Sequence, residues 1–230
     1  MTVLMMREFS KLKKAIFSLS ALVEESVNRS VRAVTEKSVD LARKVIESDR
    51  EIDQMEVEVE EECLKILALH QPVASDLRYI VSVLKMNNDL ERMGDLAVGI
   101  SKNAEHIANL KIARMPFDMR PMAEKVRSML KNSLDALVNL DVELARTVLA
   151  TDKQVDRLYH EMYDHAVECR HDKDEEIDCM LRLLSIARNL ERIGDHATNV
   201  AEDVIYLVEG EIVRHNPQET SARKAPAASA

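Results

Sequence analysis

The chain has 230 residues, 46% of them hydrophobic and 32% charged, with a formal net charge of −9. That balance is too apolar for a disordered chain and too charged for an integral membrane protein. With four Gly, five Pro, no Trp and 3% aromatics, turns are scarce, which argues against all-β folds and serial βαβ units. No basic excess exists to displace counterions from nucleic-acid phosphates, and none to hold an anionic membrane surface. The cysteines, Cys63, Cys169 and Cys179, are odd in number and form no CxxC pair, so neither a disulfide framework nor a thiolate zinc site is expected. No run approaches the roughly 20 apolar residues that span a bilayer, and the weakly apolar start is too short for a signal-peptide core. The expected location is cytoplasmic.

The first predicted helix runs from Phe9 to Glu47, on the helical spacing of Leu12, Ile16, Leu19, Val23, Val27, Val31 and Val34. The second opens at a capping box, Ser48 with Glu51, and runs to Leu69. After Pro72 the third spans Ser75 to Leu110. Two prolines within Arg114–Pro121 mark a breakpoint. Beyond it come helices over Met122–Ala150, over Thr151–Cys169 (Thr151 and Gln154 as the capping box), and over Glu175–Val213. Residues 214–230 are small, polar and Pro-containing and read as a disordered tail. The expected fold is all-α: two tandem, similar three-helix bundles of six long helices, over 1–115 and 116–213, followed by the tail.

The halves are copies of one plan. Val39–Asp53 aligns with Val142–Asp156 at seven of fifteen positions, with an offset of 103. Leu90-Glu-Arg-Met-Gly-Asp95 aligns with Leu190-Glu-Arg-Ile-Gly-Asp195, with an offset of 100.

The third helix of each half carries acids where a core stripe should continue. Ile177, Met180 and Leu184 lead on one face to Glu191, Asp195, Thr198 and Glu202; Leu77, Ile80 and Leu84 lead to Glu91, Asp95, Val98 and Lys102. Asp49 and Asp53, and Asp152 and Asp156, repeat the i, i+4 spacing on the second helices. If the helices lie antiparallel, each half gathers four carboxylates, whose repulsion raises their pKa values until something positive offsets it. Two readings stay open. A hard cation suits oxygen ligands, with iron and zinc also accepting carboxylates. Alternatively, Arg92 and Arg192 form salt bridges and Asp49 and Asp152 sit in a first helical turn, favoured there by the dipole alone. Gly94 and Gly194 each cost about 1 kcal/mol inside a helix, which points to close helix approach or room beside the carboxylates.

Glu91-Arg-Met-Gly-Asp95 and Glu191-Arg-Ile-Gly-Asp195, with the acids that precede them on the second helices, resemble the paired signatures of the PhoU family of phosphate-specific transport accessory proteins. The resemblance covers residues 5–212. It implies two three-helix bundles side by side and metal ions on the acidic motifs, one site from Asp49, Asp53, Glu91 and Asp95 and another from Asp152, Asp156, Glu191 and Asp195. Glu202 continues the acidic face of the second, where the first has Lys102, so the second-half site is expected to bind metal more tightly. Magnesium, manganese, iron and zinc all remain candidates. The resemblance further implies a negative regulator rather than an enzyme. It would contact a phosphate ABC transporter's ATPase subunit and a sensor histidine kinase, peripheral to the membrane through those partners, and act as a homodimer.

Three rival readings are weighed against it. An accessory protein of a low-affinity phosphate transporter is the closest. A carboxylate-bridged di-iron enzyme would need two Glu-x-x-His pairs, and the chain has one such spacing, Glu168 to His171. A scaffold held by salt bridges is the third. His196 reads as a packing residue, because its counterpart is Leu96, and the acidic run Glu56–Glu62 as a solvated face. The twelve Met read as core filler.

Overall fold

A computed structural model describes residues 3–110, 115–168 and 174–213. The expected tail, together with Cys169 and His171, lies outside the described residues. Six helices follow in order: α1 (Val3–Thr35), α2 (Val39–His70), α3 (Ser75–Asn109), α4 (Arg120–Asn139), α5 (Val142–Glu168) and α6 (Asp174–Glu209). Among the described residues there is no strand, and no helix is long and apolar enough to cross a membrane.

The apolar spacing along α1 does what the pattern promised. Leu12, Ile16, Leu19, Val23 and Val27 are fully buried, each contributing about 1.5–3 kcal/mol by leaving water. Helices α1, α2 and α3 pack on one another, as do α4, α5 and α6. The bundles then join through α3 against α6 and α1 against α4, and one hydrophobic core runs through both. Met86, Met93, Met122 and Met129 fill it, as expected of the methionines. Cys63 and Cys179 are free and buried. Burial pushes the Cys63 thiol up to about 12, so it is inert as a nucleophile.

The helix starts differ from the expected ones. The first helix does not run to Glu47, and neither capping box exists: Ser48 and Thr151 lie inside α2 and α5, donating their hydroxyls back to the Val45 and Thr147 carbonyls. The chain breaks earlier, by one turn design used twice. Lys37 (φ 50°) and Leu140 (φ 52°) take the left-handed conformation, and the next N–H bonds back to Ala33 O and Ala136 O, each at 3.0 Å. The side chains of Ser38 and Asp141 then accept from Leu41 N at 3.3 Å and Leu144 N at 3.0 Å, capping α2 and α5. With so few glycines, ordinary side chains occupy the strained turn positions. As a result Asp49 and Asp152 lie mid-helix, where a helix dipole does not account for them.

A candidate metal centre in each half

The acids expected to gather do gather, between α2 and α3 in one half and between α5 and α6 in the other. Burial raises the Asp49 carboxyl, with Asp53 and Asp95 adding to the shift and Lys102 opposing it. Burial and then Asp95 raise Glu91, against Arg92, with Glu56 and Asp53 contributing further. In the second half Asp152 is pushed up to about 6, first by burial and then by Asp156, Asp195 and Glu191. Glu191 is raised by burial, Asp195 and Asp156, against Arg188 and Arg192. Asp195 is raised by burial and Asp156, against His196 and Arg192. The eight carboxylates therefore form two mutually repelling quartets.

The glycines explain how the helices come together. A Cβ on Gly94 would stand 3.2 Å from two Ile52 carbons and 3.6 Å from Asp49 Oδ1. One on Gly194 would stand 3.6 Å from Met129 Cε, 3.7 Å from Val155 Cγ1 and 3.8 Å from Asp152 Oδ1. Gly94 thus lets α2 approach more closely than a side chain would, whereas at Gly194 a methyl group would stand at ordinary contact distance.

Compensation differs between the halves. Arg92 reaches toward Glu91 (3.5 Å) and Asp95 (3.6 Å) in the first, and the Lys102 charge bears on Asp49. The donors fit a divalent cation in chemistry: all are carboxylate oxygens, burial and then mutual repulsion raise several of their pKa values, and space is kept beside them. Among the described residues, however, no three His, Cys, Asp or Glu side chains stand close enough together to hold a metal ion. Closing either quartet on one takes side-chain rotation, for which the exposed Asp53, Asp95 and Asp195 have freedom.

Glu202, placed by the sequence pattern on the same face as the second quartet, stands about two helical turns past Asp195. It lines an open groove of about 670 Å³ along the α3–α6 seam with Val81, Leu84, Lys85, Asn88, Asp89 and Asn199. His196 faces the same seam, its Nδ1 2.8 Å from Asp89 Oδ1.

Two residues were missed, Glu56 and Asn87. Glu56, assigned to a solvated run, is half-buried and accepts from Asn87 Nδ2 at 3.1 Å. Its carboxyl is raised by burial, Glu60 and Asp53. The signal was available: Glu56 stands seven residues beyond Asp49, on the same helical face.

The comparisons agree with this plan. The PhoU domain model matches the chain twice, over residues 16–104 and 119–204. A phosphate-specific transport system accessory protein PhoU homolog of Pseudomonas putida is 40% identical over 209 residues, covering 90% of this chain and 82% of its own length. A homolog of the same name from Aquifex aeolicus is 36% identical, with 91% and 95% covered. The crystal structure of PhoU from Pseudomonas aeruginosa superposes with a TM-score of 0.85 at 38% identity, covering 89% of this chain and 99% of that one. The phosphate transport system regulatory protein PhoU from Streptococcus pneumoniae gives 0.82 at 30% identity, covering 91% and 99%. With both halves matched and both acidic quartets placed at equivalent points of two similar bundles, the chain belongs to the PhoU family.

Proposed function

We propose that this chain is a negative regulator of phosphate uptake and of the phosphate-starvation response. It acts by contact with a phosphate ABC transporter, through its ATPase subunit, and with the sensor histidine kinase that reads phosphate supply. It works in the cytoplasm as a homodimer, peripheral to the membrane through its partners, and it is not an enzyme. The observation that carries this reading is the family match over both halves, with relatives named as accessory proteins of phosphate-specific transport.

Metal ions belong to the reading. Asp49, Asp53, Glu91 and Asp95 would hold one site, and Asp152, Asp156, Glu191 and Asp195 the other. A bound divalent cation supplies the positive charge that the quartets lack. The chain's own part is to present the carboxylates, with Gly94 and Gly194 keeping the space beside them open. The second site binds more tightly, because Lys102 bears on the first.

The test is deletion of the gene in a host whose phosphate-starvation reporter, such as alkaline phosphatase, is silent in phosphate-rich medium. High expression without the gene, returned to low expression by the intact gene, is the expected result. Unchanged expression would refute the regulatory reading.

A further inference from the structure

The two halves also differ beside the acidic sites at Glu56 and Asn87. Asn87 lies one turn before Glu91 on α3 and is 1% exposed. Its Nδ2 donates to the Glu56 carbonyl at 2.9 Å and to Glu56 Oε1 at 3.1 Å. Its own Oδ1 is buried and meets no donor. A buried acceptor without a donor is costly to leave unsatisfied. Glu56, also acceptor-only when ionised, is fixed against this amide and lies near enough to Asp53 for their charges to interact. Oxygens that have nothing to accept from are the environment a hard cation satisfies.

The second half has no such arrangement. The offset of 103 places Tyr159 at the position of Glu56, and the offset of 100 places Ala187 at that of Asn87. Neither offers a carboxylate or an amide.

We propose that Glu56 and Asn87 extend the first-half site with a carboxylate and an amide oxygen that the second half lacks, so that the first half favours a larger, oxygen-loving cation such as calcium. Resting on the reading that the acidic quartets hold cations, the inference adds a difference in ion preference. Calcium takes six to eight oxygens and accepts Asn carbonyls readily, whereas smaller ions settle for fewer donors. The second half, with carboxylates alone, lacks the added donors.

The experiment uses the full chain carrying Asp152→Asn and Asp195→Asn, so that the first site alone is read. Calcium and zinc are titrated by calorimetry, and helix content and melting temperature confirm the fold. Glu56→Gln keeps an acceptor for Asn87 Nδ2 and removes the charge. It should weaken calcium binding about tenfold and zinc binding less. In the mirror variant, with Asp49→Asn and Asp95→Asn in place of the second-half changes, Tyr159→Glu with Ala187→Asn should strengthen calcium binding relative to zinc. Calcium affinity unmoved by Glu56→Gln, while Glu91→Gln abolishes it, would overturn the subsite and leave the quartet standing. Absence of any metal binding in the unaltered chain would overturn both.

Discussion

His196 Nδ1 lies 2.8 Å from Asp89 Oδ1, across the seam where α3 of one bundle meets α6 of the other. Asn199 Nδ2 donates to the same oxygen at 3.0 Å. One half-buried carboxylate thus ties the two halves together beside the groove that Glu202 and Lys85 line. Asp89→Ala leaves both donors without their acceptor and should cost about 1–3 kcal/mol. Thermal unfolding should show a lower melting temperature with unchanged helix content. A melting temperature equal to that of the parent chain would mean that the seam does not depend on this carboxylate.

The paired glycines should respond differently to a methyl group. At Gly194 the added Cβ meets ordinary van der Waals distances of 3.6 Å or more, so Gly194→Ala should gain most of the helix-propensity difference, about 1 kcal/mol. At Gly94 the same Cβ falls 3.2 Å from Ile52, which must shift, so Gly94→Ala should gain less. Denaturant unfolding of the two variants compares them directly. A larger gain at Gly94 would contradict the packing described.

Asp152 gives stability a pH dependence of defined sign. Its carboxyl is raised from 3.8 to about 6 in the folded chain, so between those values the folded state binds more protons than the unfolded one. The contribution is fully present below about pH 4 and is lost as pH rises through about 6. Removing the charge with Asp152→Asn should therefore stabilise the metal-free protein near pH 7, by about 1 kcal/mol after solvent screening, and do little near pH 4. Melting curves from pH 4 to 8 in the presence of a chelator measure this. A variant that is less stable than the parent at pH 7 would contradict the repulsive quartet.

Lys102 should make the first site the weaker one. Lys102→Glu removes the cation that opposes the Asp49 shift and installs the residue found at the second-half position, Glu202. Manganese titrations should then show tighter binding in the first half. First-half variants alone losing metal would reverse the proposed order.

The residues that escaped a sequence reading did so for physical reasons. The duplicated acids are visible because i, i+4 spacing survives any uncertainty in helix ends. The α1–α2 and α4–α5 breaks are not, because Lys37 and Leu140 adopt positive φ without the glycine that would announce it. One clue was present: the repeat begins at Val39 and Val142, each preceded by a capping residue, Ser38 and Asp141. The capping boxes at Ser48 and Thr151 were sequence coincidences inside continuous helices. Glu56 and Asn87 lie on different helices, 31 residues apart, and only packing reveals their contact. The course of Glu202 toward the seam likewise depends on where α3 meets α6, which periodicity along one helix does not encode.

The proposed restraint of the phosphate-starvation response through the acidic motifs can be tested in cells. Its most direct test is reporter expression in phosphate-rich medium, in the deletion strain complemented by either the intact gene or one carrying Asp95→Asn and Asp195→Asn, with equal protein levels verified. Silence is expected with the intact gene, and strong expression with both the empty vector and the altered gene. Full silencing by the altered gene would contradict the role of the carboxylates, and a silent empty-vector strain would contradict the regulatory function itself.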